Sequence, residues 1–228
     1  MTQLVQISTE TDYSLITIDD GKANALSFDL LEQLNGALIE AEQAGKVVIV
    51  AGRPGKFSAG FDLKVMGQGG EAMRDLLLAG ARTSRRLLEF PTPVILAASG
   101  HALAMGALLL LSADYRIGVH GNYKIGLNEV AIGMTLPYFG VALAEARLAK
   151  RHINNAVGLA HLYDGDGAVQ AGFLDEVVNE SDLLAAATAQ AERLSQIDMN
   201  AHRQTKARVR AALYPKLQEA MAKELGGD

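Results

Sequence analysis

Glu129 stands in the stretch NYKIGLNEVAIGMTLPYFG (residues 122–140), where Lys124 is the only other charge. An ionised Glu is seldom fully buried without a partner. In such a setting the carboxylate caps a turn, pairs with a distant group, or is kept as a reagent. Two glycine-bearing junctions could complement an acid. In GKFSAGFDL (55–63) the chain turns through Ala59-Gly60-Phe61 and can leave backbone N–H groups pointing outward. In SGHALAMGALLLL (99–111) a strand feeds an apolar helix, whose first N–H groups have no internal acceptor. Such donors, with the positive end of the helix dipole behind them, favour an oxyanion. Taken singly, SAGFD reads equally well as an ordinary glycine turn, and Glu129 as a helix-start carboxylate beside Asn128.

Competing chemistries fit poorly. Ser99 sits beside Gly100 and His101, but AASGH lacks the glycine-serine-glycine elbow, and neighbours in sequence cannot form a triad. GQGG (67–70) lacks the Lys-Ser/Thr pair of a phosphate loop. The chain has no cysteine, which excludes disulfides, thiolate nucleophiles and cysteine-ligated metals. The five histidines are scattered without ligand spacing.

The elements that must position these groups follow from periodicity and punctuation. LVQIST and YSLITID read as strands. Ser27 reads as the N-cap of a helix that stops near Gly45. KVVIVAG is a buried strand, followed by a loop, GRPGKFSAGFD. A helix is expected over 71–89, closed by Pro91 and Pro93. VILAASG is a second buried strand, and ALAMGALLLLSA a helix apolar on all sides and therefore central. DYRIGV and YKIGL return to strand. From Pro137 onward the pattern is mostly helical, DEVV included, and 181–225 reads as one or two amphipathic helices. Strands alternating with helices imply an α/β domain with parallel pairs.

At 228 residues, 49% of them hydrophobic, the chain can bury a large single core. The net charge of −5 argues against general nucleic-acid binding. The longest apolar run, Ala102 to Leu111, is too short to span a bilayer, and the N-terminus reads straight into a strand. A cytoplasmic protein is expected, with no membrane or nucleic-acid partner.

The order of the motifs is more specific than any one of them. KANALS (22–27), GKFSAGFDL, SGHALAMGALLLLSADYRIG and IGLNEVAIGMTLP together resemble the crotonase superfamily, the enoyl-CoA hydratase/isomerase family. The resemblance implies a crotonase (ClpP-like) spiral of β-β-α units over residues 1–180, with 181–228 as a helical oligomerisation segment, assembled as a homotrimer or hexamer. It implies an acyl-CoA thioester as ligand and no separate cofactor or metal, coenzyme A being part of the substrate. By position, the backbone N–H groups of Phe61 and Met105 would hold the thioester oxygen as it becomes an enolate. Glycine is usual at the second place, and a methionine side chain there would narrow the acyl pocket. Further substrate contacts would fall on Ala23, Ser58, Ala59, Gly60, Asp62, Leu108 and Leu136, with Lys22, Arg53 and Lys56 as candidate phosphate partners. Hydratases of the family carry two glutamates. Here Leu108 stands at the central-helix position and Glu129 at the loop position. One acid suffices to shift a double bond, so the closest match in motif is to single-glutamate 3,2-enoyl-CoA isomerases. A hydratase, or a noncatalytic acyl-CoA-binding relative, is the alternative reading.

Overall fold

The computed structural model describes residues 2–224. Its centre is a six-stranded sheet in the order β1-β2-β4-β7-β9-β11. The strands are β1 (Val5–Thr9), β2 (Tyr13–Ile18), β4 (Val47–Ala51), β7 (Val94–Ala98), β9 (Tyr115–Val119) and β11 (Glu176–Val178). β1 and β2 form an antiparallel hairpin and every later pairing is parallel. After most of these strands the chain adds a short one to a second layer. There β5 (Gly55–Ser58), β8 (Gly100–Leu103) and β10 (Ile125–Gly126) pair in parallel, as do β3 (Ala25–Leu26) and β6 (Gly60–Phe61). A helix then returns the chain to the main sheet. The result is the expected mixed α/β spiral of β-β-α turns.

The main sheet is covered on both faces, which explains its nearly continuous apolar strands. Alternate residues of β4 and β7 point to opposite sides. Val48, Val50, Leu96 and Ala98 join the main core beneath α1 (Phe28–Ala44), α3 (Gly70–Glu89), α4 (Met105–Ser112) and α5 (Tyr138–Arg147). Val47, Ile49, Ile95 and Ala97 pack on the other side against Leu183, Ala187 and Ala191 of α7 (Leu183–Ser195). The first helix is set by local signals. Ser27 Oγ accepts from the N–H of Leu30, and Gly45 closes the helix at φ 67°.

Four expectations need correction. GRPGKFSAGFD is not a plain loop, because Gly55–Ser58 and Gly60–Phe61 pair with β8 and β3. The apolar helix starts at Met105, not Ala102. Ala102 and Leu103 complete β8, and Ala104, at φ 50° and ψ −123°, breaks the chain between strand and helix. Glu176–Val178, inside DEVV and just after α6 (Gly165–Ala171), is the last strand of the main sheet, recruited by pairing with Ile117–Val119. Among the described residues the C-terminal region holds three helices, α7, α8 (Met199–Val209) and α9 (Leu213–Glu224). α9 lies along α5, and Glu224 accepts a hydrogen bond from the backbone N–H of Tyr138.

Candidate active site

Ser58 organises the first junction. Its Oγ donates to the carbonyl of Asn24 and accepts from the N–H of Gly60, at 2.7 and 3.2 Å. Gly60 adopts φ 93°, a conformation glycine reaches without steric cost. A Cβ there would lie 2.8 Å from Ala104 Cβ, 3.1 Å from the Leu103 carbonyl and 3.4 Å from the Met105 nitrogen. The bare backbone of Gly60-Phe61 is thus set directly against the first turn of α4. Met105 opens that helix, so its N–H has no carbonyl one turn earlier within it.

The acid approaches from a third strand. β10 pairs with β8, Ile125 opposite Ala102 and Gly126 opposite Leu103, and the Ala104 N–H donates to the Gly126 carbonyl at 2.9 Å. Glu129 follows at the start of a 3₁₀ turn (Val130–Ile132) that Gly133 closes at φ 77°. Its carbonyl accepts from both Ile132 and Met134. The side chain is 6% exposed, and its Oε2 is buried without a partner. Burial pushes the carboxyl up to about 7, only partly opposed by its own backbone N–H, since removal from water disfavours the charged form.

Glu129 faces a cavity of about 250 Å³. Ala59, Phe61 and Ala104 form one side, while Leu63, Met66, Leu77, Ile132 and Met134 supply apolar walls. Among the described residues, Asn128 and Glu129 are the polar side chains that border it, and Glu129 is the only carboxylate. A second cavity, also about 250 Å³, adjoins the first through Ala59 and Leu103 and is bordered by Ala23, Lys56, His101 and Lys124. His101 Nδ1 accepts from the Lys124 N–H at 3.0 Å. Partial burial, and then the positive charges of Lys56 and Lys124, lower its pKa.

The residues singled out in the sequence are distributed as follows. Glu129, Phe61, Ala59 and Ala23 border the two cavities, and Gly60 and Met105 lie at the junction between them and α4. The Met105 side chain does not narrow the cavity. It is fully buried and points to Gly80 of α3, where a Cβ would come within 3.2 Å of its terminal methyl group. Ser58 is a buried turn organiser, and Asp62 caps the short helix α2 (Leu63–Met66) through the Lys64 N–H. Leu108 and Leu136 flank Gly140 in the core rather than the cavity wall. Arg53 is engaged by Asp19 at 3.1 Å and by the Lys22 carbonyl, whereas Lys56 borders the second cavity. Ser99 Oγ donates to the Arg53 carbonyl. Lys124 and His101 as cavity walls were not foreseen, because the β5–β8 pairing sets His101 opposite Lys56 and the β8–β10 pairing brings Lys124 beside them.

The chain matches the sequence profile of the enoyl-CoA hydratase/isomerase family over residues 9–226. It is 47% identical to an enoyl-CoA hydratase/isomerase family protein from Pseudomonas syringae, whose crystal structure superposes with a TM-score of 0.95, covering 97% of this chain and 96% of the other. It is 29% identical over 219 residues to human mitochondrial enoyl-CoA delta isomerase 1, covering 94% of this chain and 72% of the human protein. It is 31% identical over 196 residues to the short-chain-enoyl-CoA hydratase of Clostridium acetobutylicum, covering 83% and 74%. A sequence match over nearly the whole length, carried by the same spiral in which backbone junctions meet a buried acid, makes this chain a member of the enoyl-CoA hydratase/isomerase family, within the crotonase superfamily.

Proposed function

We propose that the chain is an isomerase that converts 3-enoyl-CoA to 2-enoyl-CoA, with Glu129 as its one proton carrier. The observation that carries this reading is the solitary carboxylate: among the described residues, no second acid borders the cavity that holds Glu129. The thioester oxygen would sit between the backbone N–H groups of Phe61 and Met105. Glu129 would take the proton from C2, the electron pair would move onto that oxygen as an enolate, and the same carboxyl would return the proton at C4. Atoms and charge balance without a second acid, and no oxidation state changes. Coenzyme A, part of the substrate, is the only nucleotide required.

Two physical terms support the assignment. Each oxyanion donor is worth roughly 10²–10³ in rate by mutational precedent. A carboxyl raised to about 7 is a stronger base than one in water, yet half ionised near neutral pH. The apolar walls suit an acyl chain, and Lys56 and Lys124 at the adjoining cavity suit the phosphates of coenzyme A. Exposed apolar residues on the C-terminal helices, Leu184 and Val209, support a homotrimer or hexamer, which we place in the cytoplasm.

A hydratase would need a second carboxylate. Asp62 is held at the start of α2 and Glu71 lies exposed at the start of α3, and neither borders the cavity. The deciding experiment compares isomerisation of 3-hexenoyl-CoA with hydration of crotonyl-CoA, and follows deuterium exchange at C2. The wild type should favour isomerisation. Glu129→Gln should lose exchange by roughly 10²–10⁴ while still binding acyl-CoA. Normal turnover by that variant would refute the assignment, and faster hydration by the wild type would favour the hydratase. Binding without exchange in the wild type would mark a noncatalytic relative.

A further inference from the structure

A second cluster of ionisable groups lies at the opposite end of α4. A cavity of about 380 Å³ opens there among Pro93, Asp114 and the facing sides of α7 and α8. Among the described residues four cations border it, Arg147, Arg193, Lys206 and Arg210, against one carboxylate, Asp114. Lys206 and Arg210 are more than nine-tenths buried, and both pair with Asp114, at 2.6 and 2.8 Å.

Helix ends account for part of this charge. Lys206 donates to the Phe90 carbonyl, Arg210 to those of Leu88 and Ala113, and Arg147 to Ala113, so the carbonyls that close α3 and α4 receive donors. Each helix end contributes about half a negative charge. Two ends and Asp114 therefore balance about two of the four cations. The nearby Arg116 is already matched by Asp175. Two nitrogens stay without partners, since Arg147 Nε, a donor, and His202 Nε2 are both buried and unpartnered. Burial, reinforced by neighbouring guanidinium groups, lowers Lys206 to about 8 and Arg147 to about 10. The cluster is short of negative charge.

We propose that this cavity binds a small phosphate-class oxyanion, held between Arg147 and Arg193 on one side and Lys206 and Arg210 on the other. The guanidinium fork matches phosphate oxygens bidentately. The volume equals the share of about a dozen water molecules, so a pyrophosphate or a phosphomonoester fits as well as orthophosphate. The site shares no wall residue with either cavity near Glu129, so the inference does not rest on the reaction assigned above.

Titration calorimetry on the full-length protein with sodium pyrophosphate, orthophosphate and glycerol 3-phosphate, at matched ionic strength, tests it. Saturable one-site binding of at least one probe is expected, accompanied by a rise in melting temperature. The arm that binds most tightly identifies free phosphate or an ester as the source. Arg193→Gln, at an exposed position that the fold does not need, should weaken binding roughly tenfold to a hundredfold. Lys56→Ala, at the other cavity, should leave it unchanged. Absence of binding at millimolar concentrations, or binding lost in Lys56→Ala and retained in Arg193→Gln, would overturn the proposal.

Discussion

At the scale of single residues, the consequential feature is a carboxyl displaced to about 7 from the usual 4.5 by its apolar surroundings. Between those two values the folded state holds a proton that the unfolded state has released. Stability contributed by protonated Glu129 is therefore present at low pH and declines as pH rises from about 4.5 to about 7, after which the difference is constant. The full cost is roughly 3 kcal/mol for a displacement of this size. Glu129→Gln removes the ionisation, so the variant should gain stability over the wild type by about that amount between pH 5 and pH 8, which denaturant melts at both values can measure. Activity should run the opposite way. In the proposed reaction Glu129 must be ionised to act as the base, so kcat/KM should climb through about pH 7 and level off above it. A pH-independent difference between the two proteins would mean that Glu129 is solvated.

Among elements, α4 and the junction before it set the geometry. Gly60→Ala would place a methyl group 2.8 Å from Ala104 Cβ at a φ of 93°. A loss of roughly 1–3 kcal/mol in stability is expected, with a fall of about 10² in kcat where the proposed donors shift by an ångström. Melting curves and steady-state kinetics on the same preparation separate the two effects. The same region shows what a reader of the sequence can and cannot see. Ser27, Gly45 and the apolar runs of β4 and β7 were legible because caps and burial are local signals. The two- to four-residue strands β5, β6 and β10 carry no period long enough to register, and their partners lie more than twenty residues away. Glu129 was legible as an acid out of place. The direction of the Met105 side chain was not, because Gly80, the residue that makes room for it, belongs to a different helix.

For the whole molecule, the C-terminal helices are bound to the spiral by a buried ionic knot. Asp114 holds Lys206 and Arg210 and also accepts from the Val94 N–H, joining α8 to the starts of two neighbouring strands. Asp114→Ala would leave two buried cations without their carboxylate, and a loss of roughly 3–5 kcal/mol is expected, visible as a drop in the denaturant midpoint. The tie between Ala104 and Gly126 has a different kind of consequence. It joins main-chain atoms only, and it links the helix that supplies one proposed donor to the strand that leads to the acid. Substitution cannot easily reach such a tie. Side chains such as Leu63 and Ile132, exposed at the cavity rim, have no comparable anchorage. Lineages descended from this scaffold can therefore reshape the walls of this cavity by drift at the rim, while the main-chain distance between α4 and the segment bearing Glu129 is inherited unaltered.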